Sequence, residues 1–232
     1  MNKALIIIPA YNEEASIGNV IGQIKNALPQ FDVLVVNDGS LDSTSEAAKS
    51  SGAMVLDLPC NLGIGNSIQT GLLFAARRGY NFVVRLDADG QHRPEDVKSL
   101  IKPILSGEAD MAVGSRFLSS EGGFKSTFTR RVGIKFFSVL TSLIIRKRVT
   151  DPTSGFQAMN IKTVGLFAKE YPPDYPEIEA LVLADKAGIV IKEVPVKMLA
   201  RKGGQSSINF VKSMYYVLEV FTSLIVSIFR KL

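Results

Sequence analysis

Four short runs of β-branched and aliphatic residues, at 4–8, 33–36, 54–58 and 82–86, limit what this chain can fold into. Each run stops at a polar or glycine-containing loop. The first three are followed by helical stretches at 16–28, from Asp42 or Ser43 (either can act as a cap) to about 49, and at 67–77. Strand and helix thus alternate through about residue 105. Such a pattern folds as parallel strands joined by helical crossovers, a doubly wound sheet. The loops after the strands then converge on one edge, where open α/β folds bind ligands. Asp38, Gly63, Gly65, Asp87 and Asp89 fall in those loops and are expected to line a single cleft.

The fourth run ends in Arg85-Leu86-Asp87-Ala88-Asp89-Gly90-Gln91-His92. Two carboxylates one residue apart at a sheet edge repel each other unless a positive charge lies between them. Mg2+ or Mn2+, held by one or two carboxylates and completed by substrate phosphates, meets that need. An ordinary acidic turn is the alternative for this triplet alone. Gly63 and Gly65 ahead of a helix would let a diphosphate approach the backbone, or serve only as turn residues. The first strand ends in Pro9 and Tyr11 rather than a glycine-rich turn, and no Gly-Lys-Ser/Thr core is present. Both facts argue against a dinucleotide-binding dehydrogenase and a P-loop kinase. Cys60 and His92 are the chain's single cysteine and histidine, so a cysteine/histidine zinc site and an intramolecular disulfide are excluded.

A 232-residue chain that is 46% hydrophobic and free of low-complexity tracts folds as one large domain, or as a domain with an appendage. The short apolar run at the start reads as a first strand rather than a signal peptide. A net charge of +5 invites nucleic acid as a partner. The basic residues cluster late, however, among aliphatic and phenylalanine side chains, which suits a membrane surface, and no nucleic-acid partner is expected. Residues 122–150 contain no acidic side chain; Lys125, Arg130, Arg131, Lys135, Arg146, Lys147 and Arg148 flank an apolar core at 134–145. Drawn as a helix, Val132, Phe136, Val139 and Leu143 share a stripe. The segment reads as an amphipathic helix on an anionic membrane or as an ordinary helix packed on the sheet. Residues 208–229 are apolar apart from Lys212 and Glu219 and are just long enough to span a bilayer. Glu219 near the middle disfavours a crossing, so a membrane-associated helix is expected.

Ile8-Pro9-Ala10-Tyr11-Asn12-Glu13, Val36-Asn37-Asp38-Gly39-Ser40, Asp87-Ala88-Asp89 and Gly114-Ser115-Arg116 together resemble the family 2 glycosyltransferases of the GT-A fold. Asp151-Pro152-Thr153-Ser154-Gly155-Phe156 and the stretch 188–195 resemble the dolichol-phosphate (polyprenyl-phosphate) mannose synthase branch. The resemblance implies a Rossmann-like, mostly parallel central sheet with flanking helices as a catalytic domain over 1–207, followed by an apolar helix over 208–232. It implies that Pro9, Tyr11, Glu13 and Asp38 hold the nucleotide of a nucleotide-sugar donor. Asp87, Asp89 and Gln91 would bind the metal, and Arg201 would contact the donor diphosphate. Arg116 with Arg130 or Arg131 would grip an acceptor phosphate, and Asp151 would have a role in the active site. Counting back from Gly188, Glu179 falls where the mannose synthases carry a glutamate, and Glu177 where sugar-acceptor members carry a catalytic aspartate.

The implied reaction is inverting, metal-dependent transfer of a sugar to a polyprenyl phosphate at the cytoplasmic face of a membrane, with a small membrane protein as a plausible partner. A hydroxyl of a lipid-linked or cell-surface glycan is the alternative acceptor, with Glu177 or a neighbour as base. A non-catalytic nucleotide-binding or membrane-scaffold protein is the alternative from outside enzymology.

Overall fold

The computed structural model describes residues 3–118, 128–174, 176–199 and 222. Strands β1 (Ala4–Ala10), β2 (Asp32–Asn37), β3 (Met54–Asp57) and β4 (Phe82–Arg85) alternate with helices α1 (Glu14–Ala27), α2 (Thr44–Ser50) and α3 (Ile64–Arg77). After β4 come α4 (Val97–Leu105), β5 (Met111–Ser115), α5 (Phe128–Ile145), β6 (Gln157–Asn160), α6 (Ile161–Lys169), α7 (Pro176–Lys186) and β7 (Ile191–Pro195). The seven strands form one sheet in the order β3-β2-β1-β4-β6-β5-β7. Every neighbouring pair is parallel except those made by β6, which runs antiparallel to both β4 and β5.

Alternation along the strands sends successive side chains to opposite faces, and both faces are covered. Leu5, Ile7 and Val83 pack with Ile68 and Leu72 of α3, Phe167 of α6 and Leu181 of α7. Ile6, Ile8 and Val84 pack with Ile17, Ile21 and Ile24 of α1 and Val97 and Leu100 of α4. In α1 the buried residues Ile17, Val20, Ile21 and Ile24 recur at the three- and four-residue spacing of an amphipathic helix. Asn160 caps α6, its side chain accepting from the Thr163 amide at 3.0 Å.

The chain moves outward from β1 through β2 to β3, then returns to place β4 on the other side of β1. This reversal opens a crevice beyond the carboxyl ends of β1 and β4, the position at which doubly wound sheets hold ligands. Three features differ from, or were left open by, the sequence reading. Helix α3 begins at Ile64, three residues ahead of the expected start, so Gly65 lies inside its first turn. Glu177 sits in the first turn of a helix, α7. An antiparallel strand, β6, is inserted between β4 and β5. Among the described residues no helix is long and apolar enough to cross a membrane. The apolar helix expected over 208–232 lies outside the described residues apart from Thr222.

Candidate active site

Three loops at the crevice are stitched into one surface. Asp38, buried after β2, donates its backbone N–H to the Ala10 carbonyl at 2.9 Å. Its carboxylate accepts the amides of Leu62 at 2.8 Å and Gly63 at 3.0 Å. Asn12, in the left-handed region at φ 53°, donates its N–H to Ser40 Oγ and accepts the Leu41 amide at Oδ1, both at 2.9 Å. The Glu13 N–H donates to Thr44 Oγ1, and the Glu13 carboxylate accepts from Ser16 Oγ at 2.6 Å. Pro9 is partly buried, and Tyr11 stands exposed at the rim. The β1, β2 and β3 loops therefore hold one another, with Asp38 as the fastener.

The expectation that Gly63 and Gly65 open the backbone to a diphosphate is corrected for Gly65. Its N–H donates to the Pro173 carbonyl at 3.2 Å, and a Cβ there would meet the Pro172 and Pro173 carbonyl oxygens at 2.2 and 2.3 Å. Gly65 is needed because residues 172–173 pack directly on α3, and its N–H is already engaged there. Gly63 has φ +90°, and its N–H is engaged by Asp38.

At the end of β4 the chain turns on hydrogen bonds. The Leu86 amide donates to Ile7 O at 3.0 Å, the Asp87 amide to His92 Nδ1 at 3.2 Å, and the Gln91 amide to Asp89 Oδ1 at 3.0 Å. Because His92 Nδ1 accepts, its proton belongs on Nε2, which lies 3.7 Å from Asp87 Oδ2. The imidazole is buried and stacked on Phe156 at 4.9 Å between ring centres, and burial holds its pKa below the ordinary histidine value. Burial acts to raise the Asp87 carboxyl, but the guanidinium groups of Arg85 and Arg116 act against it, and the group is held below the usual carboxylate range. Asp87 is thus a carboxylate, and its side chain keeps 32% of its surface open. Asp87, Asp89 and Gln91 offer oxygen donors at one turn, a set that fits a hard divalent cation. Among the described residues no group of three or more histidine, cysteine, aspartate or glutamate side chains is arranged to hold a metal alone.

The chain after β7 returns to this turn. Leu199 N–H donates to Gln91 O at 2.9 Å, Gln91 Nε2 donates to Leu199 O at 3.3 Å, and His92 bridges to Met198. Arg201 follows two residues later, outside the described residues.

Arg116 and Asp151 form a buried joint. Nε and Nη2 of Arg116 reach the two Asp151 oxygens at 2.6 Å each, and Nη2 also reaches Thr153 Oγ1 at 2.8 Å. The Arg116 amide adds a bond to Asp151 at 3.1 Å, and Glu193 on β7 accepts the Asp151 and Thr150 amides. Asp151 has no exposed surface. Arg116, expected at an acceptor phosphate, is instead the internal counter-ion of Asp151. Both residues hold the loop after α5 against the ends of β5 and β7. Arg131 is exposed and lines a surface groove of about 760 Å³ with Phe117, Val139, Leu143, Arg146 and Arg148. Arg130 lies in α5, its side chain outside the described atoms.

Across the crevice Glu177 is also paired. Its Oε1 accepts from Arg85 Nη2 at 2.6 Å, and the same nitrogen lies 3.4 Å from Asp87 Oδ1. Glu179 is buried within α7. The sequence reading gave no role to Arg85, His92 or Gly155. A Cβ on Gly155 would fall 2.8 and 2.9 Å from the Asp87 oxygens and 3.0 Å from Arg85 Nη2. The available signal was a cation inside the apolar run of β4, two residues before Asp87 and therefore on the same face.

The family model for glycosyl transferase family 2 matches residues 5–164. The chain is 31% identical to the UDP-N-acetylglucosamine–dolichyl-phosphate N-acetylglucosaminyltransferase of Methanococcus voltae, over 84% of each protein. It is 29% identical to the polyprenol monophosphomannose synthase of Mycolicibacterium smegmatis, over 94% of this chain and 86% of that one. Among solved structures, glucosyl-3-phosphoglycerate synthase from Mycobacterium tuberculosis superposes with a TM-score of 0.77 at 23% identity, covering 99% of this chain and 80% of that one. The α/β architecture and the stitched crevice are therefore those of a glycosyltransferase. The chain belongs to glycosyl transferase family 2 and is similar along most of its length to enzymes named for transfer to polyprenyl phosphates.

Proposed function

We propose that this enzyme transfers a sugar from a nucleotide-sugar to a polyprenyl phosphate, with inversion, at the cytoplasmic face of a membrane. The observation that carries the acceptor assignment is the state of the acidic side chains opposite Asp87. Asp151 is closed by Arg116 and Glu177 by Arg85, and Glu179 is buried. A hydroxyl acceptor needs a general base, whereas a phosphate monoester arrives ionised and needs none. The names of the relatives from Methanococcus voltae and Mycolicibacterium smegmatis support the same acceptor class.

In this reading the exposed ring of Tyr11 stacks on the nucleobase, and the frame fastened by Asp38 orients the ribose. An acceptor phosphate oxygen attacks the anomeric carbon from behind as the bond to the diphosphate oxygen breaks, and the nucleoside diphosphate leaves. Asp87, Asp89 and Gln91 would hold Mg2+ or Mn2+, which when bound supplies positive charge against the departing diphosphate. The glucosyl-3-phosphoglycerate synthase structure, determined with Mn2+ and UDP, is consistent with that assignment. Arg201, two residues after Leu199 in sequence, is assigned to the diphosphate by the resemblance, and Arg131 in the groove along α5 is the described cation best placed for an acceptor headgroup.

The exposed face of α5 supports a membrane surface as partner. Val132, Phe136, Val139 and Leu143 are 54, 46, 53 and 71% exposed, while Ile134, Phe137 and Ile145 face the core. The stripe that the helical spacing picks out is therefore the outward one, flanked by exposed Arg131, Lys135, Arg146, Lys147 and Arg148.

The test uses Asp89→Ala and Glu177→Gln on the full chain with a short polyprenyl phosphate. Asp89→Ala, or EDTA on the parent, abolishes transfer. Glu177→Gln at saturating Mn2+ lowers kcat by less than about tenfold, because loss of a general base costs on the order of 10²–10⁴. A fall of that larger size in Glu177→Gln would give Glu177 the role of a general base and remove the observation on which the phosphate acceptor rests.

A further inference from the structure

Arg85 is among the largest fully buried side chains of the protein, 1% exposed, and it lies within the strand that delivers Asp87. One nitrogen, Nη2, meets both Glu177 at 2.6 Å and Asp87 at 3.4 Å. Its Nε and Nη1 have no hydrogen-bond partner. Gln157, the cross-strand neighbour of Arg85 on β6, has an unpartnered Oε1, and the buried hydroxyl of Tyr171 lies beside the guanidinium without a hydrogen bond of good geometry. Val83 and Met159, two residues along from Arg85 and Gln157, belong to the same core layer as Tyr171, so all three share one face of the sheet.

This is a poor arrangement for stability alone. A buried ion pair commonly contributes less than well-packed apolar side chains of the same volume, and each buried donor left unmade costs further free energy. Burial opposes the charge on Arg85, and the carboxylates of Glu177 and Asp87 sustain it. The charge is therefore neutralised chiefly by two carboxylates, one on each wall of the crevice. The hole at Gly155 is what lets the guanidinium and the Asp87 carboxylate lie together.

We infer that Arg85 is a positioning residue: it fixes the Asp87 carboxylate for a divalent cation and ties that carboxylate through Glu177 to the first turn of α7. The inference rests on the metal-dependent reading above. It assigns Glu177 to the support of the metal site from the opposite wall. A partner standing behind a metal-bound carboxylate typically changes metal affinity by about 10–100-fold when it is removed.

The experiment titrates the full chain with Mn2+ in the presence of UDP or GDP, reading free Mn2+ by electron paramagnetic resonance, with thermal melting alongside. Arg85→Lys keeps the charge and loses the planar guanidinium whose Nη2 meets both carboxylates; it is expected to bind Mn2+ about tenfold or more weakly, with kcat at saturating Mn2+ changing less than the affinity. The double variant Arg85→Met/Glu177→Met replaces the pair by apolar side chains of similar size. It is expected to melt near the parent and to share the weakened Mn2+ binding. Parent-like Mn2+ affinity in either folded variant overturns the inference and leaves the metal-dependent reading standing. Failure of the parent to bind Mn2+ with either nucleotide overturns that reading, and this inference with it.

Discussion

Two buried arginines, about thirty residues apart in sequence, stand behind the crevice and are bonded in opposite ways. Arg116 meets Asp151 through both ends of its fork and Thr153 besides, and Asp151 is entirely enclosed. Arg85 spends one nitrogen on two carboxylates and leaves Nε and Nη1 unpartnered. The bidentate pair has the geometry of a fastener, joining the loop at 150–154 to β5 and, through Glu193, to β7. The Arg85 pair lies against a carboxylate that is still partly open to solvent. Side chains that break the rule of full polar satisfaction concentrate at working sites, and here they identify the wall of the crevice on which metal chemistry is proposed.

Breaking the fastener should have the largest effect on stability. Asp151→Ala leaves the Arg116 guanidinium buried without its carboxylate, and a loss on the order of 3–5 kcal/mol is expected, read from urea denaturation. A much smaller loss would mean that Arg116 turns outward, as the acceptor-phosphate assignment from the resemblance requires. Gly155→Ala probes the other wall. Its Cβ would press on Asp87 and Arg85, so stability should fall by only about 1–3 kcal/mol while Mn2+ affinity drops. An unchanged Mn2+ affinity would show that the Asp87 position is not controlled from behind.

The smallest effect on stability is expected at the surface. Val139→Ser with Leu143→Ser should change stability by no more than about 0.5 kcal/mol per site, because both side chains are more than half exposed. The same pair should weaken sedimentation with anionic lipid vesicles, since an embedded leucine or valine contributes about 1.5–3 kcal/mol. Undiminished vesicle binding would leave the anchoring to residues 208–232.

The contrast also marks how far the sequence could be read. Strands β1–β4 and their loops were legible because short continuous apolar runs bounded by turn residues are local signals; the apolar stripe of α5 was legible as a stripe, but not the direction it faces. Strand β6 was not, since pairing Phe82–Arg85 with residues 157–160 in antiparallel register leaves no local trace. Nor was α7, whose Ile178, Glu179, Ala180, Leu181 and Val182 are all buried and show no polar face. At the site, the carboxylates were legible as residue types. Their partners were not, because Arg85–Glu177 and Arg116–Asp151 are contacts across 92 and 35 residues. Gly65 was misjudged for the same reason: the Pro172 and Pro173 carbonyls that fill its neighbourhood come from a distant segment.

The central claim is the acceptor. The most direct measurement incubates the purified full chain with a panel of UDP- and GDP-sugars, Mn2+ and a short polyprenyl phosphate, and follows the mass of the lipid. The account predicts a polyprenyl phosphate heavier by one sugar, formed from one donor class and absent with EDTA or in Asp89→Ala. Transfer from the same donors to a glycan hydroxyl, with the polyprenyl phosphate unchanged, would contradict it.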